Sequence, residues 1–433
     1  MIHRRAFLKS AGAAAGAPIL SAAVTTERIA AATQSVATLS PDEAARNEDY
    51  WLEVQQAFTV SRSIINLNSA GVSPSPRIVT DAVVHYTWEQ EKLPSYTLFS
   101  TIAPRLETVR VGLAKMFGCD AEEVAVVRNA TEALQTVLLG VGLKAGDEVL
   151  TTTQDYWAML DALEQRRQRD GIVVTKLKVP TPPGSLDDLA KVFEQAVTPR
   201  TKLILVSHPV NLTGQHFPIK RICEIAHRQG IEVCVDGAQS FAQLDFKHSD
   251  LDCDYFGTSL HKWLMAPKVT GMLYVRREKI ARLWPLLPAP DRLKNDVRKF
   301  EYSGTGSSAP LAIAEAIAFH HGIGGQRKAA RLRYLTGYWV EQLKSLPSVR
   351  FHTSFAPEMS SAIATVEIAG VNSYPLFDYL WNKHQIHAYN VARRTSEFQG
   401  IRVSPNLHTT LQELDYFCEV MRRVAKNGLP KSA

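Results

Sequence analysis

The chain has 433 residues, of which 45% are apolar and 21% charged, and a formal net charge of +6. That composition excludes a disordered or fibrous protein, and the length suits two domains, or one large one with an appendage, around a substantial core. The mild basicity comes with no Lys/Arg run or aromatic-basic stripe, so nucleic acid is not an expected partner. The five cysteines (Cys119, Cys223, Cys234, Cys253 and Cys418) are odd in number and lack CxxC or Cys/His spacing, so neither a disulfide framework nor a zinc site is indicated.

The N-terminus opens with His3-Arg4-Arg5-Ala6-Phe7-Leu8-Lys9, continues through a small apolar stretch from Ala11 to Val24, and reaches Ala30-Ala31-Ala32. Basic, apolar and small regions in that order predict a signal peptide over residues 1–32, and the apolar run is too short and too rich in Ala and Gly to span a membrane. The paired arginines followed by x-Phe-Leu-Lys resemble the bacterial twin-arginine signal. The resemblance implies export by the twin-arginine machinery to the periplasm or the medium, with no stable membrane insertion. Without residues 1–32 the net charge falls to +3.

Ser40-Pro41-Asp42-Glu43 is a helix start, with a Ser cap, Pro at the first position and acids in the first turn; the helix is expected to run to about Ala57. A short strand over Ile64 to Asn68 and the turn-rich Ser69 to Pro76 follow, then helical patterns near 77–91, 105–117 and 131–140. From about 122 to 275 short apolar runs alternate with helical stretches. Val124 to Val127, Glu148 to Thr152, Val173 to Val179, Leu203 to Ser207 and Ile231 to Val235 carry the β-branched enrichment of buried parallel strands. Pro218 to Gln229 is an amphipathic helix ended by Gly230, which makes a βαβ unit. Tyr255 to Thr258 and Gly271 to Val275 are further strand candidates. After a helix near 310–321, a strand over Ala362 to Ile368 and two helices predict a smaller α+β domain ending at about 426. The expected organisation is a signal over 1–32, a helical arm over 33–65 packing with the small domain, a large α/β domain over 66–320 and a small domain over 321–433.

Open α/β sheets bind ligands at the carboxyl ends of their strands, so the residues that follow each strand carry the functional reading. After Val127 come Arg128-Asn129-Ala130-Thr131-Glu132-Ala133, small and hydroxyl residues at a helix start that form an anion cradle. After Val235 comes Asp236-Gly237-Ala238-Gln239, an Asp that needs a partner; no second carboxylate or His lies at metal-ligand spacing. After Thr258 come Ser259-Leu260-His261-Lys262-Trp263, where a Lys flanked by an apolar strand, a His and a Trp is a candidate desolvated amine able to form a Schiff base. An anion cradle, a strand-end Asp and a nucleophilic Lys 26 positions later are the groups that pyridoxal phosphate requires.

Asp236-Gly237-Ala238-Gln239 with Ser259-Leu260-His261-Lys262 resembles the class V aminotransferase family, a branch of fold-type I pyridoxal-phosphate enzymes. The resemblance covers roughly residues 60–420 and takes in Arg128 to Leu134, Ser207 to Gly214, Gly304-Thr305 and Arg402-Val403-Ser404. It implies a mostly parallel seven-stranded sheet flanked by helices, plus the small domain. It also implies roles. Lys262 holds the cofactor and moves the Cα proton, and Asp236 pairs with the pyridine nitrogen. Gln239 bonds the phenolic oxygen with Asn211 nearby. Ala130, Thr131, Ser259 and His261 hold the phosphate, and Thr305 reaches the phosphate of the other subunit of a homodimer. Arg402 clamps the α-carboxylate of an amino-acid substrate, and Tyr156 or Trp157 stacks on the ring or belongs to the core.

The loop before Arg402, Tyr389 to Ile401, has no cysteine, which argues against sulfur transfer through a persulfide. His261-Lys262-Trp263 and the following Leu264-Met265-Ala266-Pro267 resemble the isopenicillin-N epimerase-like branch. That implies removal of an amino acid's α-proton with epimerisation or C–S/β-elimination as outcome; transamination to a keto acid and a cofactor-retaining binding protein are the alternatives. Arg393 and Arg394 are a candidate second-carboxylate pair or a solvated loop pair, and His208, Tyr96 and Tyr302 are candidates for a second acid/base. Three departures stand out: Lys268-Val269 where the branch has a Gly, Leu407-His408-Thr409 in place of a Tyr-Asn pair, and Asn68-Ser69-Ala70-Gly71 without the branch's His.

Overall fold

A computed structural model describes residues 27–302, 306–356 and 358–430. The Ser40 start is a full capping box with Glu43, but the helix stops after one turn. Asn47 caps a second helix through its side chain, so the expected single helix is α1 (Pro41–Ala45) and α2 (Glu48–Gln55). α3 (Arg77–Lys92) and α4 (Ala103–Phe117) follow, the latter ended by Gly118 at φ +80°. The large domain then alternates. β1 is Val124–Val127 and α5 is Ala130–Gly140. β2 (Glu148–Thr152), α6 (Trp157–Asp170), β3 (Val173–Leu177) and α7 (Leu186–Ala196) come next. β4 (Thr201–Ser207), α8 (Ile219–His227), β5 (Glu232–Asp236), β6 (Tyr255–Ser259) and β7 (Gly271–Val275) complete the sheet.

The seven strands lie in the order β1-β7-β6-β5-β4-β2-β3. Four neighbouring pairs are parallel, and β7 runs antiparallel to both β1 and β6. The sheet is sandwiched: Val233, Val235, Phe256 and Met272 face α4 and α8, while Val149, Leu205, Cys234 and Leu273 face α5 and α6. Burial on both faces is why these strands read as continuous apolar runs rather than alternating ones. α5 lies unusually close to the sheet because two strand residues lack a side chain. A Cβ on Gly271 would stand 2.6 Å from the Asn129 Cα, and one on Gly257 2.7 Å from the Leu134 Cγ.

α9 (Ile313–Ile323) and α10 (Gly325–Leu343) meet at Gly324, φ +93°. The C-terminal domain follows as β8 (Val349–Phe351), β9 (Ala364–Ile368), α11 (Ser373–His384), β10 (Tyr389–Asn390), β11 (Ile401–Val403) and α12 (Leu411–Asn427). Its four strands form an antiparallel sheet, β10-β11-β9-β8, packed on Leu335, Trp339, Leu380, Phe417 and Met421. α1 and α2 pack on α10 through Arg331, which is fully buried, pairs with Glu48 and stacks 5.2 Å from the Trp51 ring. Residues 27–35 are helical, and Ile29 is buried with Ala57 and Phe319. The expected cleavage point at Ala32 therefore lies inside a helix; the rest of the signal, residues 1–26, is outside the described residues. Among the described residues, no helix is long and apolar enough to cross a membrane.

Candidate active site

The strand ends converge on one cavity of about 420 Å³. Its lining includes Ala130, Thr131, Tyr156, Trp157, Asn211, Asp236, Gln239, Ser259, His261, Lys262 and Arg402. Eleven of the twelve residues to which the family resemblance gives cofactor or α-carboxylate roles therefore share one space. The twelfth, Thr305, lies outside the described residues.

At the α5 end, the cradle differs in detail from the sequence expectation. The Ala130 amide is not free: it donates to the Ser259 hydroxyl oxygen at 2.9 Å. The Glu132 amide is taken by the Asn129 cap at 2.9 Å. Thr131 keeps both its amide and its hydroxyl uncommitted among the described residues, and Ser259 retains a hydroxyl hydrogen to donate. His261 lies 3.1 Å through Nδ1 from the Thr270 carbonyl, and burial holds its pKa down at about 4. With Nδ1–H given to that carbonyl, the neutral ring presents only a lone pair at Nε2; donating there requires the second proton, which a phosphate dianion would favour.

At the centre, Asp236 ends β5, and its Oδ1 accepts the Ala238 amide at 3.0 Å. Burial pushes its pKa up to about 6, opposed by the positive charge of Lys262. Burial lowers Lys262 to about 8, against the attraction of Asp236 and with a further push from Arg402. The two groups hold each other nearer their charged forms in a site that otherwise disfavours both. Gln239 is fixed at both ends: Nε2 donates to the Ala70 carbonyl at 3.0 Å and Oε1 accepts from Trp263 at 2.8 Å. The second Nε2 hydrogen has no acceptor among the described residues.

Arg402 projects from β11 with 4% of its surface exposed. Its guanidinium donates to the Asn211 carbonyl at 2.8 Å and to Asn68 Oδ1 at 2.6 Å, and lies 4.5 Å from the Tyr389 ring centroid. Its Nε has no partner, and no carboxylate of the described residues pairs with it. Burial lowers its pKa to about 10. A desolvated guanidinium without a counter-ion is costly, so the site is built for an anionic ligand. Asn68 reaches it because the opening turn is laced to β11: Ser404 donates its amide to Leu67 at 2.8 Å, and Ser69 donates back to Ser404 at 3.1 Å. The Asn68-Ser69-Ala70-Gly71 departure thus supplies the partner that orients Arg402.

Tyr156 and Trp157 follow a residue that sequence reasoning passed over. Asp155, buried between β2 and β4, accepts from the Thr151 and Thr152 hydroxyls, the Thr152 amide, and the Ser207 amide and hydroxyl, all within 3.0 Å. This network clamps two strand ends together and sets where the aromatic pair starts. The signal available was an Asp three residues past a buried strand, close to the signal that draws attention to Asp236 at the end of β5. Both aromatics line the cavity; the Tyr156 phenol is held above its usual range by burial and by Asp236, and Trp157 lies under Arg394 at 4.3 Å.

The second-base candidates are not brought in. His208 is buried with its ring 5.9 Å from His216 and 5.7 Å from Phe246, and does not line the cavity. Tyr96 and Tyr302 are exposed on the surface of the described chain. Leu407 and His408 are buried away from the cavity, His408 packing 5.9 Å from Phe58. None of the five cysteines lines the cavity, and Cys418 is buried in α12 with its thiol on the Trp339 carbonyl. Among the described residues no group of three His, Cys, Asp or Glu could hold a metal ion. The free donors at α5, the buried Asp236, the amine of Lys262 and the uncompensated Arg402 together fit pyridoxal phosphate carrying an amino acid.

The strand order, with the lysine following β6 and a small antiparallel domain over the cavity, is the fold-type I architecture. The model of the family "Aminotransferase class-V" matches residues 65–417, and the chain belongs to that family. Isopenicillin N epimerase of Amycolatopsis lactamdurans is 30% identical over 400 residues, covering 87% of this chain and 99% of that protein. The Streptomyces clavuligerus isopenicillin N epimerase is 28% identical, covering 86% and 97%. A probable cysteine desulfurase of Mycolicibacterium paratuberculosis is also 28% identical, over 85% of this chain and 56% of its own length. Among solved structures, an apo cysteine desulfurase from Thermococcus onnurineus superposes with a TM-score of 0.76 at 22% identity, covering 88% of this chain and 98% of that one. These likenesses establish the fold.

Proposed function

We propose that this chain is a pyridoxal-phosphate enzyme that binds an amino acid by its α-carboxylate and removes its α-proton, with epimerisation or C–S/β-elimination as the outcome. When bound, the cofactor supplies an electron sink for the carbanion at the substrate Cα. Lys262 is the amine that attaches the cofactor and then carries the α-proton on Nζ. Asp236 keeps the pyridine nitrogen protonated, and Gln239 offers its spare hydrogen to the phenolic oxygen. Thr131 and Ser259, joined by protonated His261, hold the phosphate; Tyr156 covers the ring. The observation that carries the reading is Arg402: a buried guanidinium with no counter-ion, oriented by Asn68 and Asn211, in the same cavity as Lys262. The similarity to two isopenicillin N epimerases along nearly their whole lengths supports the epimerase-like branch. The cysteine-free cavity weighs against a persulfide-forming desulfurase. We further propose a homodimer in which Thr305 serves the neighbouring site, and export of the folded protein through the twin-arginine route to the periplasm or the medium.

The test is proton NMR of the cofactor-loaded protein in D2O with L- and D-amino acids. Loss of the α-proton signal with the amino group retained, followed by appearance of the other enantiomer, is the expected result. Release of a keto acid without an added acceptor makes the chain a lyase; keto-acid formation only with an acceptor makes it an aminotransferase. No exchange with any amino acid overturns the reading.

A further inference from the structure

Lys328 stands near the start of α10 and is fully buried, yet no carboxylate of the described residues pairs with it. Burial lowers its pKa to about 7. A desolvated amine without a counter-ion is costly, and an apolar side chain of the same length would avoid that cost. Its hydrogen bond runs to the Trp263 carbonyl, one residue past Lys262. Neither Trp263 nor Lys328 lines the cavity, and the proposed function uses neither.

The loop after β6 depends on that bond. The carbonyls of Ser259, Leu260, His261 and Lys262 each take a backbone amide, from Lys262, Ala266, Ser73 and Met265 in turn. The Trp263 carbonyl takes none, and the Lys328 amine is its donor. Two residues on, Met265 is left-handed at φ +59°, a conformation that persists only where the surroundings hold it. Trp263 is itself fully buried and spends its indole N–H on Gln239 Oε1 at 2.8 Å. An indole nitrogen only donates, and the Ala70 carbonyl, which takes Gln239 Nε2 at 3.0 Å, only accepts. Together they decide which way round the Gln239 amide stands. Reversed, it would set two oxygens against each other at Ala70 and two donors against each other at Trp263.

We propose that Trp263 and Lys328 are positioning residues for the cofactor: Lys328 holds Trp263, and Trp263 holds Gln239 so that it offers N–H rather than C=O to the phenolic oxygen. The inference rests on the proposed role of Gln239. Hydrogen bonding to that oxygen tunes the electronics of the cofactor, which its absorbance reports. The test is a double-mutant cycle on the full chain freed of cofactor and titrated with pyridoxal phosphate by absorbance, using Trp263→Phe, Gln239→Leu and the pair. Trp263→Phe alone should weaken the cofactor about 10-fold and move its absorbance band in the same direction as Gln239→Leu. In the Gln239→Leu background it should cost less than about 2-fold and move the band no further. Lys328→Met keeps the length of the side chain and should give the same pattern at about 3-fold, which carries the test if Trp263→Phe does not fold. A loss of equal size with and without Gln239 marks a merely structural role; it overturns the inference and leaves the cofactor reading standing. So does a band that neither Trp263→Phe nor Lys328→Met moves. A Gln239→Leu variant with unchanged affinity and band removes Gln239 from the site and the inference with it. If the wild-type chain takes up no pyridoxal phosphate, both readings fall.

Discussion

One wall of the cavity comes from the large domain and the other from the C-terminal domain, and they are built differently. On the first, Thr131, Asp236, Ser259 and Lys262 stand within a few residues of a strand end, where Ser259 accepts the Ala130 amide and Asp236 the Ala238 amide. On the second, Arg402 and Arg394 are held by groups far away in sequence: Asn68 and Asn211 for one, Trp157 for the other. Local structure makes the chemistry of the first wall; tertiary contact makes that of the second. In the proposed function the first wall meets the cofactor and the second the substrate.

The largest expected effect lies on the first wall. Lys262→Ala should remove any borohydride-fixable cofactor and lower turnover by about 10,000-fold, read by mass spectrometry of the reduced protein and by the exchange assay. A covalent adduct surviving the substitution would take Lys262 out of the chemistry.

The matching blow to the second wall is Arg402→Ala. Loss of a buried, charge-paired contact costs about 3–4 kcal/mol, so kcat/KM should fall about 100- to 1,000-fold while the cofactor stays bound with its absorbance unchanged. If the variant instead lost cofactor, the division of labour between the walls would be wrong.

Asp155→Ala probes the seam beneath the first wall. It leaves the Thr151, Thr152 and Ser207 donors without an acceptor inside the protein. A loss of about 3 kcal/mol in urea unfolding is expected, with weaker cofactor binding from a displaced Tyr156. Stability lost with cofactor affinity intact would make the network a strand clamp alone.

The pH dependence separates the Lys262–Asp236 couple from the rest. Lys262 is about 8 when folded, below its unfolded value, so the unfolded chain binds more protons between there and the ordinary lysine range. That group's contribution to apoprotein stability therefore rises as pH climbs from about 8, and the rate of cofactor capture, which needs the neutral amine, rises up to the same point. Asp236 behaves oppositely: its folded value of about 6 means that its contribution is lost as pH rises from the ordinary carboxylate range to there. Asp236→Asn removes the charge that holds the lysine proton, so the capture profile should move to lower pH in stopped-flow absorbance. An unmoved profile would uncouple the two groups.

How much of this was legible follows from the same division. Lys262, Asp236 and Thr131 could be read because a residue just past an apolar run sits at a strand's carboxyl end whatever the rest of the chain does. The β7 direction could not: Gly271 to Val275 looks like its parallel neighbours, since a strand buried on both faces shows the same apolar run either way. The single helix expected from Ser40 failed for a local reason, because Asn47 offers a cap that restarts the helix. The Ala130 amide looks free for phosphate in the sequence because its acceptor, the Ser259 hydroxyl oxygen, lies 129 positions away. Asn68 and Tyr389 were out of reach for the same cause, since their contacts with Arg402 exist only once β11 lies beside the opening turn, and Arg394 could not be told from Arg393 until the fold set it on Trp157.

The smallest effect tests whether the first wall tolerates strain just outside it. Val269 sits at φ +62° and is 62% exposed, in the turn between β6 and β7 where the branch places a Gly. A left-handed conformation costs an L-residue about 1–2 kcal/mol, whereas introducing Gly costs about 0.4–1 kcal/mol in unfolded-chain entropy. The strain wins, and the exposed side chain has little packing to lose, so Val269→Gly should stabilise the protein by about 0.5–1 kcal/mol in urea unfolding. The turn itself is held elsewhere: Thr270 donates its hydroxyl to the Pro267 carbonyl at 2.5 Å and accepts the Leu260 amide at 2.9 Å. His261 keeps its anchor on that same carbonyl of Thr270, so cofactor affinity should not move. A destabilised variant would mean that Val269 is covered by something beyond this chain, and the proposed homodimer is the place to look.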